Sequence, residues 1–112
     1  MATQPRVPEI SVHELKALMD DDRTPLVLDV RSRREYAAAN LQGRLIPLKL
    51  LVDHLDEIEA HKEEMIVVHC RSGARSAQAV RFLMACGFKD VKNLRGGTLA
   101  WSREIDPTMP EH

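Results

Sequence analysis

The sequence predicts an α/β fold, a parallel sheet covered by helices on both faces, and three observations carry that prediction. The runs Pro25-Leu26-Val27-Leu28-Asp29-Val30 and Met65-Ile66-Val67-Val68-His69 are short, mostly apolar and rich in β-branched residues. Such runs suit strands buried on both faces, the situation of a parallel sheet sandwiched between helices. Each is followed by residues with helical apolar spacing, and strand and helix alternate along the chain.

Taken in order, the first element is a helix. Ser11-Val12-His13-Glu14 is a capping-box signature, and Val12, Leu15, Leu18 and Met19 then share one helical face until Asp20-Asp21-Asp22 ends the pattern. Pro25 to Val30 is a buried strand, and Ser32-Arg33-Arg34-Glu35 directly behind it is a second capping box that opens a helix. Leu45-Ile46-Pro47-Leu48 is too short and interrupted to class. Leu51, Leu55 and Ile58 have the spacing of another helix, with Asp53, Asp56, Glu57 and Glu59 on its other faces. Met65 to His69 is the second buried strand. Beyond Ser76, the stripe Ala77, Val80, Leu83 and Met84 marks a helix running to Cys86, and Gly87 suits the residue that closes it. Val91 to Leu94 reads as a final strand. Gly96-Gly97 then breaks the chain before a last helical turn, Thr98 to Arg103, which carries Trp101 into the core.

A chain of 112 residues is large enough to bury one real core and too small for two. The expected domain core runs from about residue 8 to 103, with loose ends at 1–7 and 107–112. Sixteen Lys and Arg against 17 Asp and Glu leave a net charge of −1, so no global field draws the protein to nucleic acid or an anionic membrane. No apolar run approaches the roughly 18 to 20 residues of a membrane span, and the first ten residues lack the apolar centre of a signal peptide. A soluble, cytoplasmic protein is expected. Its two cysteines, Cys70 and Cys86, make neither a disulfide framework nor a pair of metal knuckles. These features call for no metal and no cofactor, and a single reactive thiol fits better.

That thiol is Cys70, delivered by the second strand into Arg71-Ser72-Gly73-Ala74-Arg75-Ser76. Open α/β sheets place ligand sites at the carboxyl ends of their strands. A free thiol is mostly protonated at neutral pH, while the nucleophile is the thiolate, so a working cysteine needs positive potential around it. If Arg71 to Arg75 curls around Cys70, successive backbone amides form an anion-binding nest, and the amino end of the following helix adds to it. Arg71 and Arg75 supply full charges, and Gly73 permits the turn. His69 neighbours Cys70 along a strand and therefore points to the opposite face, which makes it a structural histidine rather than a base. His13, His54, His61 and His112 lie in helical or terminal segments and need no functional role. Cys86 ends a helical apolar stripe and reads as a buried structural thiol rather than a resolving cysteine.

Asp29-Val30-Arg31 with Glu35-Tyr36, the Cys70-to-Ser76 loop, Gly87-Phe88, and Leu94-Arg95-Gly96-Gly97 with Trp101 together resemble the rhodanese (thiosulfate sulfurtransferase) family, over about Pro8 to Arg103. The resemblance implies a single-domain, three-layer rhodanese-like fold with a five-stranded parallel sheet. It also implies a Cys70 persulfide formed from a thiosulfate-like anion and discharged to cyanide, a thiol or a protein sulfur acceptor. In that reading Cys70 is the nucleophile, and Arg71, Ser72, Gly73, Ala74 and Arg75 form the persulfide-binding loop. Amides from Arg71 to Arg75 act as an oxyanion hole, and Arg71 or Arg75 holds the anionic end of the donor. Asp29, Arg31 and Glu35 form a structural ion-pair network behind the site, with Ser76 as further support.

One segment departs from the family pattern. Between Gly43 and Pro47 the chain is one residue shorter than usual, and Arg44 replaces a small residue, so this connection is expected to be remodelled and to alter a wall of the pocket. Two other functions compete. A cysteine-dependent phosphatase places an arginine six positions after its cysteine, where this chain has Ser76 and Arg75 comes one residue early. A non-catalytic rhodanese-like docking module is the other, but many of those lack the cysteine that this loop keeps.

Overall fold

A computed structural model describes residues 6–111. Its sheet holds five parallel strands, β1 (Glu9–Ile10), β2 (Leu26–Asp29), β3 (Arg44–Leu45), β4 (Met65–His69) and β5 (Asp90–Leu94), in the order β1-β5-β4-β2-β3. Four α-helices complete the α/β architecture: α1 (Val12–Asp20), α2 (Arg33–Ala38), α3 (Ala74–Ala85) and α4 (Gly97–Glu104). Both predicted capping boxes form. Ser11 accepts from the Glu14 amide and Ser32 from the Glu35 amide, while each glutamate returns to the cap amide; such a cap contributes about 1 kcal/mol.

The central strand β4 separates two cores. Ile66, Val68 and Cys70 face one side with Ala79, Val80 and Leu83 of α3, whereas Val67 faces the other with Val12 and Leu15 of α1 and Trp101 of α4. Alternation along the strand therefore places Cys70 and His69 on opposite faces. Register carries the same logic across the sheet: β2 and β4 pair Asp29 with His69, and β4 and β5 pair Val68 with Asn93. Asn93 thus shares the α3 face of β5 with Val91, next to the end of β4.

Several expectations need correction. The helix read from Leu51, Leu55 and Ile58 is a series of 3₁₀ turns at Leu48–Leu50, Val52–Glu57 and Glu59–His61, interrupted where His54 leaves helical geometry (φ −125°, ψ 20°). Spacings of three and four satisfy either kind of turn, and burial of Leu51 and Ile58 needs no continuous helix. The unclassed stretch at Leu45 opens as β3, and β1 is not predictable because two residues carry no periodicity. The last helical turn is a two-turn helix, α4. The carboxyl-terminal tail is not loose through residue 111: Ser102 donates to the Met109 carbonyl at 2.5 Å, Arg103 pairs with Glu111 at 2.8 Å, and Met109 packs on the second core. At the other end Pro8 is anchored, since its carbonyl accepts from the Asn93 amide at 2.8 Å. Residues 1–5 and 112 lie outside the described residues.

The shortened segment runs close along β2, and Arg44 turns away to a partner of its own. A side chain at Gly43 would meet the Val27 carbonyl at 2.6 Å, so glycine there lets the backbone pass against β2. Beyond it, the Ile46 and Leu48 amides donate to the carbonyls of Asp29 and Val30 at 2.9 and 3.0 Å, extending the sheet contact. Arg44 itself bonds Glu57 at 2.7 Å.

Candidate active site

Cys70 follows the last residue of β4, and its sulfur sits inside the turn that leads into α3. The Gly73 amide donates to Sγ at 3.1 Å and the Ser76 amide approaches at 3.5 Å, while Ser76 Oγ lies 3.3 Å away. Gly73, at φ +116°, occupies the left-handed region that lets the chain double back over the sulfur. Burial opposes ionisation of the thiol. The Ser76 hydroxyl and the amides of Ser76, Gly73 and Ser72 outweigh it and hold the thiol below its ordinary ionisation range.

The outer side of the turn is fixed by the Gly-Gly pair, a role that its sequence position alone does not reveal. The amides of Thr98 and Leu99, at the amino end of α4, donate to the carbonyls of Cys70 and Arg71 at 3.0 and 3.1 Å. A Cβ on Gly97 would stand 2.3 and 2.5 Å from those same oxygens, so only glycine admits this approach. Because each trans peptide points its N–H opposite to its C=O, drawing these carbonyls toward α4 leaves the following amides facing the sulfur side. The signal in the sequence is Gly96-Gly97 itself, a pair that marks close backbone approach as well as a break.

Asn93 is a second site residue that sequence reasoning misses. Its carboxamide accepts from Ser76 Oγ at 2.6 Å and donates to the Gly73 carbonyl at 3.2 Å. Parity with Val91 on a strand paired to β4 is the signal that places it on the Cys70 face.

The ion pairs divide differently from the expected network. Asp29 and Arg31, both fully buried, form one unit: the guanidinium bonds the carboxylate at 2.8 Å and the Ala39 carbonyl at 2.6 Å, tying β2 to the end of α2. Glu35 instead forms a fork with Arg75, at 2.7 and 2.8 Å. That fork, against the opposing effect of burial and with help from the Ser32 cap, brings the Glu35 carboxyl down to about 2, and it raises the Arg75 guanidinium in return. Arg71 is exposed, and no ion-pair partner faces it among the described residues. His69 is wholly buried. Its burial, with Arg31 adding to it against the opposing pull of Asp29 at 3.6 Å, holds the imidazole below its usual range. Cys86 is half-buried against the α3-side core rather than fully enclosed.

Cys70 is 1% exposed, so the sulfur lies at the bottom of its turn with little open surface. A cleft of about 600 Å³ adjoins the loop at Ser72, Gly73 and Asn93 and carries Arg6, Arg81 and Arg95, but the sulfur is not on its wall.

A family model for the rhodanese-like domain matches residues 11–104. A sulfurtransferase of Allochromatium vinosum is 39% identical over 104 residues, covering 92% of this chain and 95% of that protein. The adenylyltransferase and sulfurtransferase uba4 of Ogataea parapolymorpha is 38% identical, but this chain, 90% covered, spans only 25% of its length. Among solved structures, the human single-domain sulfurtransferase TSTD1 superposes with a TM-score of 0.76 at 28% identity, covering 87% of this chain and 96% of that one. A rhodanese-like domain protein from Staphylococcus aureus gives 0.79 at 32%, with 88% and 94% covered. With the family match running from the cap of α1 to the end of α4, and a relative of nearly equal length, this chain belongs to the rhodanese-like domain family.

Proposed function

We propose that the protein is a sulfurtransferase in which Cys70 carries sulfane sulfur as a persulfide. The observation that carries this reading is the pair of backbone donors aimed at one sulfur, the amides of Gly73 and Ser76, with the Ser76 hydroxyl 3.3 Å away. A thiolate is stabilised there before substrate arrives, as an oxyanion hole stabilises developing charge. With thiosulfate as donor, the Cys70 thiolate attacks the outer sulfur, an S–S bond forms, and the donor's S–S bond breaks with its electron pair leaving on sulfite. The terminal sulfur of the persulfide keeps the negative charge and then bonds cyanide or an acceptor thiolate, returning Cys70 as a thiolate.

Arg71 is the residue proposed to meet the anionic end of the donor, because Arg75 is held by Glu35. Ser72, Gly73, Ala74 and Ser76 shape the cradle, and Asp29 with Arg31 braces it from β2. Thiosulfate is one donor of the required chemistry. A protein acceptor is equally compatible, since several relatives are named adenylyltransferase and sulfurtransferase and are about four times longer than this chain. No helix among the described residues is long and apolar enough to cross a membrane, and the cytoplasm, which keeps thiols reduced, is the compartment proposed.

Intact-protein mass spectrometry after incubation with thiosulfate tests the reading. One sulfur atom should be gained by the parent and by Cys86→Ser, and neither the adduct nor thiocyanate formation should survive Cys70→Ser. Normal turnover in Cys70→Ser would overturn the assignment, and a parent that takes up no sulfur from any donor would favour a docking module.

A further inference from the structure

We propose that Asn93 is a positioning residue: it holds the hydroxyl proton of Ser76 away from Cys70 while the sulfur is a thiol, and yields that proton when the sulfur becomes an anion. The inference deepens the sulfur-transfer reading above and rests on it only for its purpose, since the geometry concerns Cys70 alone.

Counting protons fixes the direction of each bond. Asn93 is 4% exposed, and one end of its carboxamide faces the Gly73 carbonyl at 3.2 Å. A carbonyl only accepts, so that end is the NH₂ group and the other end, facing Ser76, is the oxygen. An amide oxygen also only accepts. The proton in the 2.6 Å contact between Ser76 Oγ and Asn93 Oδ1 is therefore the serine's, and a serine hydroxyl has just one. Toward Sγ, 3.3 Å away, Ser76 is left with lone pairs.

The result is a directional chain: Cys70 S–H donates to Ser76 Oγ, Ser76 O–H donates to Asn93 Oδ1, and Asn93 Nδ2–H donates to the Gly73 carbonyl. This arrangement suits a thiol and is wrong for a sulfur anion, which would face lone pairs. To serve the anion, the hydroxyl must rotate about its Cβ–Oγ bond and leave Asn93 Oδ1, buried, without its partner. The help that Ser76 gives to ionisation is thus conditional, and Asn93 sets the condition. The amides of Gly73 and Ser76 cannot rotate and favour the anion throughout.

Charged groups lie on the neighbouring elements: Arg71 in the loop, Arg75 on α3 with Glu35 of α2 behind it, Arg81 of α3 and Arg95 after β5 on the cleft beside Gly73 and Asn93, and the buried Asp29, Arg31 and His69 at the ends of β2 and β4. The carboxamide of Asn93 is instead bonded to Ser76 and Gly73, so its replacement acts on the sulfur through those two residues.

The test is the pH dependence of Cys70 alkylation by iodoacetamide in a Cys86→Ser background. Asn93→Ala and Asn93→Leu free the Ser76 hydroxyl to donate to sulfur. The alkylation midpoint should fall by about one pH unit, the scale of one hydrogen bond to a charged group, and the fall should vanish when Ser76→Ala is added. If Asn93 merely braces Gly73, its loss lets the amides tilt away. The midpoint then rises, the rise persists in Ser76→Ala, and the proposal is overturned. Ser76→Ala alone covers the case in which the Asn93 replacements do not fold. With the hydroxyl proton committed to Asn93, its removal should move the midpoint by far less than one pH unit; a rise of about one unit, the loss of a hydroxyl already donating to sulfur, refutes the idea. Because alkylation reads ionisation directly, a parent that alkylates as described yet gains no sulfur from donors would defeat the sulfurtransferase reading and leave the role of Asn93 standing.

Discussion

Arg75 and Glu35 meet in a two-pronged ion pair, 2.7 and 2.8 Å, that ties the first turn of α3 to α2. The guanidinium that the sequence offers to a donor anion is thereby engaged from behind, and Arg71 is left facing solvent.

This pair makes acid sensitivity predictable. The Glu35 carboxyl has its folded-state value near 2 against an ordinary 4.5, so its stabilisation is complete above about pH 4.5 and is lost as pH falls toward 2. Side-chain exposures of 23% for Glu35 and 38% for Arg75 mean that screening removes much of it, leaving about 1–2 kcal/mol. Glu35→Gln should cost that amount in urea unfolding at pH 7, and its curve should converge on that of the parent near pH 2. An equal deficit at both pH values would contradict the ion-pair account.

The two loop glycines should fail in different ways. Alanine at Gly97 meets two carbonyl oxygens at 2.3 and 2.5 Å as well as an unfavourable φ of +59°, so Gly97→Ala should cost about 3 kcal/mol or more. Alanine at Gly73 meets only Asn93 Nδ2, at 3.7 Å, and bears conformational strain alone, about 1–2 kcal/mol. Thermal unfolding should rank Gly97→Ala as clearly the less stable. Gly73→Ala should stay folded and still form persulfide more slowly, because its amide is one of the sulfur's donors.

His69 supplies the opposite pH signature from a catalytic base. Its folded-state imidazole titrates below 6.5, so the unfolded chain binds the proton first and stability falls as pH drops below about 6.5. Among the described residues neither ring nitrogen makes a hydrogen bond of ordinary geometry, and replacing such a group with an apolar one of similar size is close to neutral. His69→Leu should therefore stay within about 1 kcal/mol of the parent at pH 7 and flatten the loss of stability below about pH 6.5, with sulfur transfer largely kept. A large drop in kcat alone would assign His69 a chemical role.

Accessibility and ionisation separate the two thiols. Cys70 is 1% exposed yet held below the ordinary thiol range by its donors, while Cys86 is half-buried outside the loop. A small alkylating agent should modify Cys70 at pH values where an unperturbed thiol is still protonated, whereas a bulky maleimide should label Cys86 first. Preferential bulky labelling of Cys70 would show that its cradle is open.

Burial patterns make the principal strands legible from sequence, because β4 must be apolar on both faces and Ser11 and Ser32 announce their helices chemically. Cys70 is legible for a related reason: a thiol at a strand end, set before a basic, glycine-containing turn, sits where positive potential would favour its ionised form. The 51–58 region misleads because apolar spacings of three and four fit both an α-helix and linked 3₁₀ turns. What linear order does not supply is the company each group keeps. Glu35 meets Arg75 across 40 positions and Asn93 meets Ser76 across 17, contacts that exist only once α2, α3 and β5 are stacked. Sequence determined where the proposed nucleophile is and which strand delivers it, since local periodicity and capping are written residue by residue. The stacked sheet alone decided which donors reach the sulfur and which arginine faces solvent, because hydrogen bonds form over about 3 Å and only tertiary packing brings distant residues that close.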